Sequence, residues 1–313
     1  MGTIKSLNAA KKKKEDEYYT QLDDISNELR HYEHHFKDKI VFCNCDDPEK
    51  SNFWKYFALS FEYLGLKKLI ATHYIPTVKY LQDKNKKNYA YVIEKNSFDN
   101  STLPSASYEM AGNGDFRSQA SIELLKEADI VVTNPPFSLL REYIAQLMEY
   151  KKKFLIIGNQ NAITYNEIFP LIKNEKMWLG VTPKNRKLWF KTPDGTLSHQ
   201  VACWFTNLRH DRINRKLLLY KSYYKNKDAY PKYDNYDAIN VDKTRDIPKD
   251  YDGPMGVPVS FMTGGCYTPV QFKILGKLHS KKTEYDFGPP DLKGKRIYVR
   301  LVIQKRKEET NEN

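Results

Sequence analysis

The chain has 313 residues, 40% hydrophobic and 29% charged, with a formal net charge of +12. That length accommodates one large α/β domain and a smaller second one. The basic balance disfavours a solvating acidic chain and points to a polyanionic partner, since a strongly positive soluble protein raises the local concentration of negative ligands. The charge is concentrated: residues 206–313 carry 22 Lys+Arg against 14 Asp+Glu, a net +8 of the +12. No apolar run approaches the ~18 residues a membrane span requires, and no signal peptide is evident, so a cytoplasmic protein is expected.

Residues 1–16 are polar and include Lys11 to Lys14, which reads as a flexible basic arm. Tyr18, Leu22, Ile25 and Leu29 follow a helical period and predict a helix over 17–32. The apolar run 39–45 ends at Asp46, Asp47 and Pro48, a buried strand entering a loop. Ser51 is placed to cap a helix over 53–64, and 67–72 reads as the next strand. The stretch 76–107 is poorly periodic and is taken as a variable insertion with a small hairpin near 89–92. Regular alternation then returns: helix 121–127, strand 129–133, helix 139–150, strand 154–158, helix 167–173 and strand 177–181. Two extended runs, 187–191 and 200–206, predict an antiparallel hairpin at a sheet edge. Strands alternating with helices imply an α/β fold with a parallel sheet and helices on both faces. Beyond Arg212 the periodicity stops, which sets a boundary near 207–215.

The cysteines are Cys43, Cys45, Cys203 and Cys266. A lone Cys-x-Cys lacks the second pair of a zinc site, so reduced thiols and no metal are expected. No cysteine follows a proline, which leaves out a Pro-Cys nucleophile.

The most informative segment is Asn134-Pro135-Pro136-Phe137, which follows directly on the apolar strand 129–133. In an open α/β sheet, ligands bind outside the carboxyl ends of strands, which is where this segment falls. Its residue types suit methylation of a planar NH2 group. The lone pair of such a nitrogen is conjugated and weakly nucleophilic. The Asn134 side-chain oxygen and the Pro135 carbonyl can each accept one N–H, aiming the lone pair at a methyl donor. The prolines restrict the backbone, and Phe137 offers a face for an extruded base. Asn134, Pro135, Pro136 and Phe137 are therefore the catalytic candidates. Adenine N6, guanine N2 in RNA and a glutamine amide in protein all present such an NH2 group, so the four residues alone leave the acceptor open.

In order before this motif stand Asp16-Glu17-Tyr18-Tyr19-Thr20, Val41-Phe42-Cys43-Asn44-Cys45-Asp46-Asp47-Pro48 and Gly114-Asp115-Phe116-Arg117-Ser118. Phe154-Leu155-Ile156-Ile157-Gly158-Asn159 follows it, and Met255-Gly256-Val257-Pro258 lies near the end. The series closely resembles the EcoRI-type adenine-specific DNA methyltransferases. The resemblance implies a Rossmann-like methyltransferase sheet, S-adenosyl-L-methionine as cofactor and double-stranded DNA as partner. It also implies a short palindromic site such as GAATTC and a cognate restriction endonuclease as functional partner. It assigns Tyr18, Tyr19 and Thr20 to the cofactor pocket. Cys43, Asn44, Cys45, Asp46 and Asp47 fall to the methionine end of the cofactor, and Asp115, with Phe116, to its adenine. The loop after the first strand contains no glycine where methyltransferases usually carry several, and no acid stands at Thr72-His73-Tyr74 to bind a ribose.

From 209 to 253 cations alternate with aromatics. Arg212, Arg215, Lys216, Lys221 and Lys225 are the DNA-binding candidates, interleaved with Tyr220, Tyr223, Tyr224, Tyr230 and Tyr233. The expected organisation is an arm at 1–16, a catalytic domain at 17–210 and a target-recognition region at 211–313. The competing readings are an NH2-directed methyltransferase for RNA or protein, and a non-catalytic DNA-binding protein.

Overall fold

The computed structural model describes residues 19–82, 87–99, 101–182, 188–192 and 195–307. The basic arm and residues 17 and 18 of the helix expected at 17–32 lie outside them. The chain forms two compact units, the first Met1–Ala162 with Arg186–Arg209, the second Ile163–Asn185 with His210–Asn313.

The first unit holds β1 (Tyr19–Thr20), α1 (Leu22–Leu29), β2 (Ile40–Cys43), α2 (Asn52–Leu59), β3 (Lys68–Ala71) and α3 (Thr77–Gln82). It continues with β4 (Asn88–Glu94), β5 (Ala106–Met110), α4 (Gln119–Glu127), β6 (Ile130–Thr133), α5 (Leu140–Glu149) and β7 (Lys153–Asn159). The hairpin β8 (Leu188–Lys191) and β9 (Leu197–Gln200) and the strand β10 (Ala202–Thr206) complete it. The first unit's strands of the large sheet run β5-β4-β3-β2-β6-β7-β10. Its centre, β3-β2-β6-β7, is parallel, and β4, β5 and β10 run antiparallel to their neighbours. Parallel neighbours need a crossover, and α2 and α5 provide those between β2 and β3 and between β6 and β7. Every residue of β2, β6 and β10 is buried, which is why these segments read as unbroken apolar runs. The chain leaves β2 toward β3 on one side and returns to β6 on the other. The strand order therefore reverses between β2 and β6, which opens a crevice at their carboxyl ends.

Several sequence expectations change. Tyr19 and Thr20 extend the chain before α1 and pair with Lys191 and Phe190 of β8. A strand pairing thus overrides the helical period there. Of the expected partnership of 187–191 with 200–206, only the pairing of Leu188 with Gln200 forms. β8 pairs with β9, while β10 pairs antiparallel with β7, aligning Ala202 with Asn159. The fully buried, apolar β10 gains a whole sheet neighbour in this way, whereas β8, which buries only alternate residues, needs cover on one face only. The hairpin of the 76–107 stretch is longer than its apolar signal: β4 and β5 pair from Asn88 with Met110 to Val92 with Ala106 and extend the main sheet. Ser51 caps α2 as its position implies, accepting from Phe53 N and Trp54 N.

In the second unit α6 (Phe169–Lys173) precedes a sheet ordered β11 (Ile239–Asn240), β12 (Met255–Pro258), β16 (Arg300–Lys305) and β13 (Phe272–Leu278). The helix α7 (Ser260–Thr263) and a small hairpin, β14 (Asp291–Leu292) and β15 (Lys295–Arg296), lie between these strands in sequence. Tyr233, Ala238, Leu278 and Val302 form a core cluster covered by Tyr236 and Phe287, whose rings stack 4.5 Å apart.

Candidate functional site

Four loops meet at the carboxyl edge of the first unit's sheet: those following β2, β3, β5 and β6. The loop after β2 lacks glycine, and side chains hold it instead. Asn44 is buried and accepts a hydrogen bond from the Tyr143 hydroxyl of α5. Asp46 is also buried; its N–H donates to Thr72 O at 2.9 Å. Its carboxylate accepts from Ser51 Oγ at 2.6 Å and from Thr133 Oγ1 at 2.5 Å. Burial pushes the Asp46 carboxyl up to about 6, against the two hydroxyls that favour its charged form. Burial likewise raises the Cys43 and Cys45 thiols, and Asp46 adds to the effect. Both stay protonated and are poor nucleophiles and metal ligands. Asp47 points the other way. Its carboxylate accepts from Glu49 N at 3.0 Å, and its side chain keeps 19% of its exposure. Of the acids in this loop, Asp46 is thus turned inward and Asp47 outward.

The loop after β5 is pressed against the end of β3. Ile75 N donates to Asn113 O at 2.7 Å. Gly114 sits at φ +78, and a Cβ there would lie 2.0 Å from His73 O. Only glycine fits. Asp115 follows, engaged by Arg117 through Nε at 2.9 Å, Nη2 at 2.7 Å and the backbone N–H at 2.9 Å. The Arg117 hydrogen bonds hold the Asp115 carboxyl below its ordinary range. Arg117 also reaches Glu142 of α5 at 3.0 Å. Phe116 turns inward, its ring edge-on to Tyr143 at 5.1 Å and its carbonyl accepting from Gln146 Nε2 at 3.0 Å.

Asn134 begins the loop after β6, next to the buried Thr133 and half-buried itself. Pro135 is buried and Pro136 is extended at φ −55, ψ 123. A short 3-10 turn, Phe137–Leu139, then leads into α5. The Phe137 ring is 9% exposed and meets Phe190 of β8 edge-on at 6.1 Å. Phe190 is the cross-strand partner of Thr20, and Thr20 O accepts from Asn52 Nδ2 of α2 at 2.7 Å. The hairpin therefore brings Tyr19 and Thr20 onto the same edge as the Asn-Pro-Pro-Phe segment. Cys43 to Asp47, Asp115, Phe116 and Asn134 to Phe137 share that edge. Ser51, Arg117, Thr133, Tyr143 and Phe190 belong to the same network and carry no sequence signal beyond a hydroxyl, cation or ring beside a motif.

The basic candidates lie in the second unit. Arg215, Lys216, Lys221 and Lys225 are exposed, as are Tyr220 and Tyr224. Arg212 departs from expectation. Its Nη1 donates to Val181 O at 2.5 Å and to Gly180 O at 3.4 Å, and its Nε donates to Gly265 O at 3.3 Å. That guanidinium satisfies carbonyls inside the unit. Tyr230 and Tyr233 are buried, and the Tyr233 hydroxyl donates to Asn240 Oδ1 at 2.7 Å. Alternation along the sequence thus mixes surface and core tyrosines.

Comparison with known proteins agrees with this architecture. A family described as "Adenine-specific methyltransferase EcoRI" matches residues 6–310. Type II methyltransferase M.EcoRI of Escherichia coli is 46% identical, covering 97% of this chain and 98% of its own. Type II methyltransferase M.MpnI of Mycoplasma pneumoniae is 38% identical, covering 96% of this chain and 98% of its own. M.MgeORF184P of Mycoplasma genitalium is 37% identical with the same coverage. No solved structure matches. Agreement along nearly the full length, not in one motif, decides the assignment: the chain belongs to the EcoRI family of adenine-specific type II methyltransferases.

Proposed function

We propose that this protein transfers a methyl group from S-adenosyl-L-methionine to N6 of an adenine extruded from duplex DNA. The target is proposed to lie in a short palindrome such as GAATTC, protected in this way from a cognate restriction endonuclease. The observation that carries the reading is the position of Asn134 at the crevice where the strand order reverses, one residue beyond the Thr133–Asp46 hydrogen bond.

The residues at this edge fit the cofactor. The Asp115 carboxylate offers about four acceptor positions. Arg117 occupies two on Oδ1 and one on Oδ2, so one remains to take an adenine amine. The outward Asp47 suits the methionine ammonium, and the backbone of 43–47 presents polar groups over the crevice. Asn44 and Asp46 serve that loop from within. Thr20 and Tyr19 close the pocket from the hairpin side. When bound, the cofactor supplies an electrophilic methyl on a sulfonium. Asn134 Oδ1 and the Pro135 carbonyl each accept an N6 hydrogen, holding the nitrogen lone pair toward that methyl. Phe137, backed by Phe190, forms a wall for the extruded base. The exposed cations Arg215, Lys216, Lys221 and Lys225 contact phosphates, and the second unit reads the site.

The test is to incubate the protein with labelled cofactor and plasmid DNA, RNA or protein in parallel, then to map N6-methyladenine by sequencing. Label in DNA at one recurrent adenine context supports the reading. Label in RNA or protein alone refutes it.

A further inference from the structure

The exposed cations considered so far lie between 215 and 225, yet the second unit projects another cationic element that periodicity does not reveal. The hairpin at 291–296 pairs Asp291 with Arg296 and Leu292 with Lys295 across a two-residue turn. Both turn residues lie in the left-handed region, Lys293 at φ +51 and Gly294 at φ +72. That geometry matches the twist of a tight hairpin, but it is unfavourable for a side chain such as lysine, and Asn or Gly is the usual occupant. The turn is nonetheless firmly built. The Asp234 carboxylate accepts from Lys293 N at 3.0 Å and Gly294 N at 2.8 Å, and Asp234 N donates to Asp291 O at 2.9 Å. A lysine held at a strained tip points to a use for its charge.

The side chains around the tip share one character. Arg296 is bound to Asp291 at 3.1 Å and braces the strands. Lys293 and Lys295 are exposed and have no acidic partner among the described residues. Tyr298, just beyond the hairpin, is 88% exposed. Its backbone is anchored on both sides: Ile297 N donates to Pro290 O at 3.0 Å and Arg300 Nη1 donates to Tyr298 O at 3.2 Å. A fixed backbone that presents a bare aromatic ring beside two unpaired lysines is suited to a partner offering both phosphates and flat apolar surface. Nucleic acid offers both.

We propose that the 291–296 hairpin, with Lys293 and Lys295 on phosphates and Tyr298 against a base or sugar, is a DNA-contacting finger of the second unit. A two-stranded ribbon is narrow enough for the major groove of duplex DNA. The finger rests on the proposed methylation of DNA and adds a contact to it.

The two kinds of side chain leave different signatures. A lysine on a phosphate releases a counterion, so its loss flattens the salt dependence of binding. A packed tyrosine shifts affinity at every salt concentration and leaves the slope alone. The experiment measures anisotropy of a labelled duplex with the full-length protein across a potassium chloride series. The K293N/K295Q variant keeps a residue tolerant of left-handed backbone at 293. It should bind about tenfold more weakly at ~0.1 M salt, with a slope lower by roughly 1 to 2. Y298S should lose severalfold affinity with the slope unchanged. K37Q/K39Q removes the same charge at the amino end of β2, the sheet edge away from the site, and should match wild type. Thermal midpoint and S-adenosylhomocysteine affinity should be the same in all variants. A wild-type slope in K293N/K295Q, or equal losses in K37Q/K39Q, overturns the finger while leaving methylation of DNA by the wild type intact. A wild type that methylates no duplex overturns the finger together with the reading beneath it.

Discussion

Thr133, the last residue of β6, donates its hydroxyl to the carboxylate of Asp46, which lies beyond the end of β2, at 2.5 Å. The bond spans the crevice where the strand order reverses. It joins the loop proposed for the cofactor to the residue before Asn134. Thr133→Val keeps the shape and removes the donor, leaving a buried carboxylate short of a partner at a cost of about 1–3 kcal/mol. Single-turnover methyl transfer should fall more than cofactor affinity does, and Thr133→Ser should recover most of the rate. Equal behaviour of the valine and serine variants would remove the hydroxyl from the argument.

Asp46 also sets a pH dependence. Its carboxyl rises from 3.8 to about 6 on folding because burial penalises the charge. A carboxyl raised by folding favours the folded state most when protonated, so its contribution declines as pH rises from about 4 through about 6. Asp46→Asn cannot ionise. The stability of that variant relative to wild type should improve between pH 4 and pH 7 by on the order of 2–3 kcal/mol. Paired thermal or urea melts across that range measure it, and a flat difference would show that Asp46 ionises normally.

The acceptor role proposed for Asn134 predicts a loss confined to chemistry. Asn134→Ala should slow single-turnover transfer by on the order of 3 kcal/mol, by analogy with removal of one aimed group from an oxyanion hole. DNA and cofactor affinities, read by anisotropy and calorimetry, should stay near wild type. A variant with a normal rate would exclude the role.

Asp115 and Arg117 act as a pair. Asp115→Ala should weaken S-adenosylhomocysteine binding strongly. Arg117→Gln should weaken it less, because the carboxylate survives and keeps the backbone N–H of residue 117 but loses the two guanidinium donors. The pair is partly exposed, so thermal stability should change little in either variant. Calorimetric titration of both orders the effects, and unchanged binding in Asp115→Ala would take this residue out of the pocket.

Gly114→Ala tests the same loop through its backbone. The new methyl would stand 2.0 Å from His73 O, on a residue at φ +78. The loop must move away from β3, carrying Asp115 with it. Both the melting temperature and the cofactor affinity should drop, and a wild-type profile in both would mean the close approach does not exist.

Much of the first unit was legible because its signals are local. The unbroken apolar runs of β2 and β6 mark buried parallel strands, and the motif following β6 needs no tertiary context to be noticed. What sequence order could not convey was pairing. β10 and β8 both read as extended, and only the full burial of β10 against the amphipathic face of β8 separates a main-sheet strand from a surface hairpin. Arg212 shows the same limit for charge. Next to Arg215 and Lys216 it looks like another phosphate ligand, but the carbonyls of Gly180, Val181 and Gly265 claim it. Tyr230 and Tyr220 differ in the same way, one in the core and one in water.

The chain passes between its two units more than once. The second unit takes Ile163–Asn185 as well as His210–Asn313, and the hairpin β8–β9 with β10 falls between those segments. The early segment is built into its unit: Lys277 Nζ of β13 donates to Thr164 O at 2.5 Å and Asn166 Oδ1 at 3.0 Å. A single cut near 210 would therefore strand 163–185 without its neighbours and leave a damaged fragment rather than a clean first unit. The same interleaving bears on how relatives diverge. A unit written in two separated stretches cannot be traded between genes by one recombination event. Divergence in the second unit is then expected to proceed residue by residue on a retained scaffold, and chimaeras joined at one point near 210 should fold worse than chimaeras that exchange both stretches together.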